Sequence, residues 1–294
     1  MRQGIGLVES EDMSEAAVKL ADIASRPRSR EGSAQGLLLV LLGTFVWQRE
    51  AVTAGTLVAA LDALGITENA ARKAIHRLTQ DGIAQAEREG RQSRISITPR
   101  GHELFVKGEQ QVFGFEGDRP AWDGRWLVVA VSVPESQRTT RHYLRSRLAL
   151  IGMGSPVPGI WISPHVDVPA MRIIERLELA PMASSWVGNF GPVGDEPAMV
   201  RSAWDIDGLA AMYLEFVAQV EAMQPHGDAE SFASYVQLVQ AWRRFPFIDP
   251  QLPTRFLPDP WIGRTAAALV RYRRGAWGEA ALRFWQGLRP QDAV

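Results

Sequence analysis

The chain has 294 residues, 46% of them hydrophobic and 22% charged, which is enough apolar material for packed cores and, at about 100 to 200 residues per domain, enough length for two domains or three small ones. It contains no cysteine, which excludes a disulfide framework, zinc fingers and ribbons, a thiol nucleophile and cysteine-held iron–sulfur clusters. With 32 basic and 33 acidic side chains, the net charge of -1 gives the chain as a whole no attraction for nucleic acid. The longest apolar run near the N-terminus, Gly36 to Trp47, is well short of the roughly 20 residues that span a bilayer, and acidic residues precede it without a cleavage-site pattern. The expectation is a soluble cytoplasmic protein with no membrane partner.

Resolved by segment, the charge is uneven. Residues 1–25 carry a net -3, residues 26–101 a net +4 and residues 102–294 a net -2. A basic module therefore sits between acidic neighbours. Residues 1–29 read as a flexible extension with a short helix over Ser14 to Ile23. Ser33 then caps an apolar helix through Leu37, Leu38, Val40, Leu41, Leu42 and Phe45, and a second helix runs from Thr53 to Leu64. Gly65 breaks the chain, Thr67 caps a third helix to Asp81, and Gly82 ends it, which gives helix-turn-helix proportions. Strands Ile83 to Glu87 and Ser93 to Thr98 follow, joined by a polar turn, and this hairpin is read as a wing.

At 100° per residue, Ala71, Ala74, Ile75 and Leu78 share one face of the third helix, while Asn69, Lys73, His76 and Gln80 lie opposite, flanked by Arg72 and Arg77. Arg and Lys donate to guanine O6 and N7, and Asn pairs with adenine N6 and N7, so this face suits a major groove. Taken by itself, such a helix is more often an ordinary solvated face. The preceding helix and the hairpin carrying Arg88, Arg91 and Arg94 favour a winged helix-turn-helix over residues 30–101, with Asn69, Arg72, Lys73 and His76 reading bases and Arg77, Arg88, Arg91 and Arg94 holding phosphates. The stretch Ile66 to Leu78, with Asp81-Gly82 and the Glu89-Gly90-Arg91 turn, resembles the DNA-binding domain of PaaX-family regulators. The resemblance implies a repressor of phenylacetate-catabolism genes that is relieved by phenylacetyl-coenzyme A.

Residues 118–196 open with Trp122-Asp123-Gly124-Arg125-Trp126 and an apolar run to Val133 that fits a strand buried in a sheet. A helix follows over Ser136 to Ile151, with Arg138, Arg141, Arg145 and Arg147 outward and Tyr143, Leu144, Leu148 and Ile151 inward. A strand at Gly159 to Ser163, a helix over Val168 to Leu179 and a strand over Ser184 to Phe190 complete a ferredoxin-like pattern. It resembles the central domain of the same family at Trp122 to Trp126 and at Gly159 to His165. Residues 200–290 are mainly helical: one helix carries Leu209 to Val220, the next carries Phe232 to Val239 and is stopped by Pro246, and Gly275 and Gly278 interrupt the last. The run Trp242 to Pro250, with Leu257 to Gly263, resembles the family's C-terminal domain. The predicted class is therefore α+β, in three domains.

The five histidines have no metal-ligand spacing, and there is no nucleophile elbow, phosphate loop or dinucleotide fingerprint, so neither enzyme nor cofactor is expected. The central domain also resembles small CRISPR-associated nucleases of ferredoxin-like fold, but its first strand ends in Ser132-Val133-Pro134 and the nearest acid is Glu135. A metal-dependent phosphodiesterase, an acyl-coenzyme A hydrolase and a regulator with a different effector are the competing readings. An acyl-coenzyme A effector needs arginines beside apolar and aromatic surface. Arg243 and Arg244 beside Trp242, and Arg125 and Trp161 in the central domain, are the candidates. The same residues equally fit a packing knot, with the arginines paired to Asp249 or Asp205 and the tryptophans in core. The implied partners are double-stranded operator DNA, the acyl-coenzyme A and a second copy of the chain as homodimer.

Overall fold

The computed structural model describes residues 30–47, 51–90, 92–115 and 122–289, with side chains in the first helix described from Ala34 onward. The expected N-terminal extension, Arg91 and the Ser33 cap interaction lie outside these residues. Over the described residues the chain is a mixed α+β protein with two small antiparallel sheets, and its contacts form two compact units.

The first unit takes in residues up to Phe115, Phe216–Arg244 and Ala267 onward. Its first helix, α1 (Arg30–Leu41), starts three residues before Ser33 and runs into a π-helical turn, Leu42–Val46. Every side chain from Ala34 to Leu42 is buried, so α1 is a central helix rather than an amphipathic surface one. The strand β1 (Val52–Thr53), α2 (Ala54–Asp62), α3 (Glu68–Gln80), β2 (Ala84–Glu89), β3 (Gln92–Ile97) and α4 (Pro99–Phe113) follow. The sheet order is β1-β3-β2, antiparallel, with Ile95 opposite both Val52 and Ala86.

Sequence reading missed α4, although Thr98 and Pro99 carry its start signal: the Thr98 hydroxyl oxygen accepts from the Gly101 N–H at 3.0 Å, and proline at the first helical position has no N–H to lose. Gly101 is required there, because a Cβ would lie 2.1 Å from the Ile83 carbonyl oxygen. The C-terminal helices of this unit pack on the end of α1. Phe45 stacks on Trp285 at 5.0 Å between ring centroids and meets Phe232 at 5.7 Å.

The second unit comprises Glu116–Glu215 and Phe245–Ala266. In chain order it contains β4 (Arg125–Val131), α5 (Arg138–Leu150), β5 (Gly154–Val157), β6 (Ile160–Ser163), α6 (Ala170–Arg176) and β7 (Ala183–Asn189). The sheet order is β5-β6-β4-β7 with all neighbours antiparallel, so the apolar β4 is a central strand, as its composition demanded. Leu127, Val129, Val131 and Trp161 from the sheet pack against Leu144, Leu148, Ile173 and Ile174 from the two helices. Sequence reading missed β5, a four-residue strand with a glycine and a proline, which is tolerable because it lies at the sheet edge. Tyr143, expected inward, is exposed because the buried stripe of α5 is carried by Leu144 and Leu148 alone.

The helices α7 (Glu196–Ala203), α8 (Ile206–Glu221), α9 (Gly227–Trp242), α10 (Phe245–Ile248) and α11 (Ile262–Leu288) complete the chain. Two expectations fail here. The helix α9 ends at Trp242, before Pro246, which lies inside the short α10. Gly275 and Gly278 do not interrupt α11, which is continuous over 27 residues. Burial of Trp277, Ala281 and Trp285 on one side of that helix offsets the roughly 1 kcal/mol each glycine costs.

Candidate nucleic-acid interface

The first unit places α3 by a short sequence of local interactions. The Thr53 side chain caps α2, accepting from the Thr56 N–H at 3.1 Å. Gly65, at φ 78°, reverses the chain, and the Ile66 N–H closes the turn on the Leu61 carbonyl at 2.9 Å. The next helix starts at Glu68 and buries Ala71, Ala74, Ile75 and Leu78, the four residues assigned inward by periodicity. Packing of α3 against α1 and α2 leaves Asn69, Arg72, Lys73, His76, Arg77 and Gln80 exposed together.

These side chains are not equivalent. Arg72 is already engaged: its Nε and Nη2 lie 2.8 and 2.7 Å from Glu68 Oε1, an exposed pair one helical turn apart. Asn69, Lys73 and Arg77 line a shallow cleft of about 100 Å³ with Thr67, Ala70 and Ala74. On the hairpin, Arg88 is exposed and contacts the Gly90 carbonyl at 3.4 Å. Arg94 pairs with Glu89 at 3.2 Å and reaches the Ala51 carbonyl at 3.4 Å, which ties it to the base of the hairpin.

The five candidate ligand residues fall in different units. Trp161 is buried in the core between sheet and helices. Arg125 pairs with Asp123 at 2.7 Å. The Arg125 backbone N–H, and then its guanidinium, hold the Asp123 carboxyl below the usual range. Sequence reading missed Arg255, which lies 4.7 Å from the Trp122 ring centroid and 4.6 Å from that of Phe256 and pairs with Glu196. Its only sequence signal was an arginine–aromatic step in a proline-rich stretch.

In the first unit Trp242 is fully buried and its indole N–H donates to the Val112 carbonyl at 2.9 Å. Arg243 is 8% exposed, and its buried Nε has no hydrogen-bond partner among the described residues. The expected pairing of this arginine with Asp249 or Asp205 does not occur. Asp249 accepts from the Tyr213 hydroxyl at 2.7 Å, and Asp205 accepts from the Gly208 N–H at 2.9 Å. Burial pushes the Arg243 pKa down to about 10. Its environment includes α1, since a Cβ on Gly36 would come within 2.7 Å of the guanidinium and 2.5 Å of the Gln240 amide. A separate cavity of about 410 Å³ in the second unit is lined by Trp204, Leu209, Met212, Leu252, Leu257 and neighbours, and by none of the five candidates.

Among the described residues no three His, Asp or Glu side chains are grouped to hold a metal ion, and no helix is long and apolar enough to cross a membrane. Three family descriptions match consecutive parts of the chain: "PaaX-like protein" over residues 33–101, "PaaX protein central Cas2-like domain" over 119–200 and "PaaX-like protein C-terminal domain" over 204–287. The transcriptional repressor PaaX of Escherichia coli is 26% identical over 227 residues, 73% of this chain and 71% of that protein. That relative is a regulator and not an enzyme. The solved structure of the uncharacterised protein Rv0674 from Mycobacterium tuberculosis superposes with a TM-score of 0.60 at 20% identity, covering 85% of this chain and 96% of that one, and so shares the fold.

Proposed function

Because this chain belongs to the PaaX family, we propose that it is a cytoplasmic, sequence-specific transcriptional repressor that binds double-stranded operator DNA and has no catalytic activity. The observation that carries the reading is the exposed polar face of α3, backed by four buried apolar residues and flanked by the β2–β3 hairpin. Residues 30–101 then act as a winged helix-turn-helix. Asn69, Arg72, Lys73 and His76 read base edges, and Arg77, Arg88, Arg91 and Arg94 contact phosphates. Arg72 must exchange Glu68 for a base or phosphate as it binds.

The β-α-β-β-α-β order of the second unit supports a ferredoxin-like central domain over residues 118–196, with the C-terminal domain over residues 200–290. The exposed edge strand β7, with Trp186 and Val187 about half exposed, supports a homodimer surface. The enzyme alternative finds little to work with: Glu135, the acid nearest the end of β4, is exposed and 3.7 to 3.9 Å from Arg141 and Arg138.

The regulated genes are those of an aromatic-acid, phenylacetate-type catabolic operon, and an aryl-acyl-coenzyme A relieves repression by binding the DNA-free form better. Arg243, the residue that caps the end of α9, lies against Gly36 of α1 with its Nε unpartnered, which supports a route for that effect. The helix α1 also packs against α3, so an anion drawn to Arg243 sits one helix away from the base-reading residues. A duplex selected by the protein from a random pool tests the reading in a gel shift. Phenylacetyl-coenzyme A is expected to release it and free phenylacetate to leave it bound. Retention with every acyl-coenzyme A tried contradicts the effector class.

A further inference from the structure

The helix α5 carries four arginines, one histidine and no acidic residue in 13 positions. Arg138, Arg141, His142 and Arg145 fall at i, i+3, i+4 and i+7, along one flank of about 10 Å at 1.5 Å per residue. All four are exposed. Their counter-charge is weak: Glu135 lies 3.9 Å from Arg138 and 3.7 Å from Arg141, both in solvent, and Arg145 has no hydrogen-bond or ion-pair partner among the described residues. Like charges three and four residues apart destabilise a helix. The stripe is thus unfavourable for α5 alone, and a polyanion would relieve it.

We infer that this flank of α5 is a second phosphate-contacting surface for nucleic-acid backbone, in a different unit from the α3 face; the inference rests on the DNA-binding reading above. Three observations select nucleic acid. The cations are all arginines, whose planar fork matches phosphate oxygens in pairs. No acid interrupts the stripe, as a surface built for an acidic peptide with mixed contacts would allow. The apolar residues Leu144 and Leu148 are already buried in the core, so α5 has no apolar stripe to insert into a lipid surface. The body of the protein, acidic on average, would then hold DNA locally as well as through the basic head.

The test compares the full chain with the R138Q/R141Q/R145Q variant, on a random-sequence duplex and on a duplex selected by the wild type, across a range of salt. Glutamine keeps helix propensity, so the melting temperature is expected to be unchanged or higher. Loss of three phosphate contacts lowers the slope of log affinity against log salt by about 2.7, so the loss of affinity between about 50 and 200 mM salt becomes roughly 40-fold smaller. The preference for the selected duplex is expected to persist. An unchanged slope overturns the inference, as does unchanged duplex affinity with lost binding to polyglutamate. Wild-type binding with no sequence preference sinks the repressor reading and leaves the slope to decide on α5. No binding to any duplex overturns both.

Discussion

Individual residues of α3 were legible in the sequence to the extent that periodicity governs them. Ala71, Ala74, Ile75 and Leu78 are buried and the polar set is exposed, because a helix against a core allows one solution to that pattern. The partners of long charged side chains were not legible. The pairing of Arg72 with Glu68 depends on rotamers, and the position of Arg255 over Trp122 depends on chain segments far apart in sequence. Arg243 is the extreme case, since nothing local marks it as buried with its Nε unpartnered. Its native pKa of about 10 lies below that of the unfolded chain, so the unfolded chain holds more protons above pH 10 and stability rises with pH there, while the full penalty applies at neutral pH. A buried charge carries a desolvation penalty that an apolar side chain of like volume lacks, so Arg243→Met is expected to raise the melting temperature by several degrees. The same variant should lose any stabilisation by acyl-coenzyme A. A lowered melting temperature with that stabilisation intact would show that the charge is satisfied and takes no part in ligand binding.

At the scale of elements, start and stop signals located α2, α3 and the hairpin, because Thr53, Gly65 and Gly82 act through local backbone geometry. Gly65→Ala forces a Cβ into the left-handed region and is expected to cost about 1–2 kcal/mol, read as a lower urea midpoint at unchanged slope. Elements decided by tertiary burial were misread. The sequence puts two glycines in α11, yet Trp277 and Trp285 hold the helix together through buried contacts that no local window contains. The edge strand β5 was likewise invisible, since its pairing partner β6 supplies what its own residues lack. A Cβ added at Gly275 would meet open space, and the residue lies in mid-helix, so Gly275→Ala should stabilise by about 0.8–1.0 kcal/mol in the same urea titration. A destabilisation there would mean that α11 needs to bend at this residue.

For the whole molecule, the sequence separated a basic head from an acidic remainder, and the family matches follow that linear order. The contacts group the chain differently, because α8 and α11 each contribute to both compact units. That grouping could not be read from composition, which changes along the chain but carries no record of which segments return to pack together. One consequence is that the head and the helices around Arg243 belong to one unit, so ligand binding to the C-terminal helices should stabilise the head as well. An acyl-coenzyme A at 100 times its dissociation constant would add about 2.7 kcal/mol, measurable as slowed hydrogen exchange in α1 and α3. Exchange slowed only in the second unit would place the ligand elsewhere. The central claim is sequence-selective DNA recognition by α3, and repeated selection of duplexes from a random pool tests it directly, with wild type and Lys73→Ala in parallel. The wild type is expected to enrich one two-fold-related motif and the variant to lose that enrichment. No enriched motif for the wild type, or the same motif enriched equally by the variant, would contradict the account.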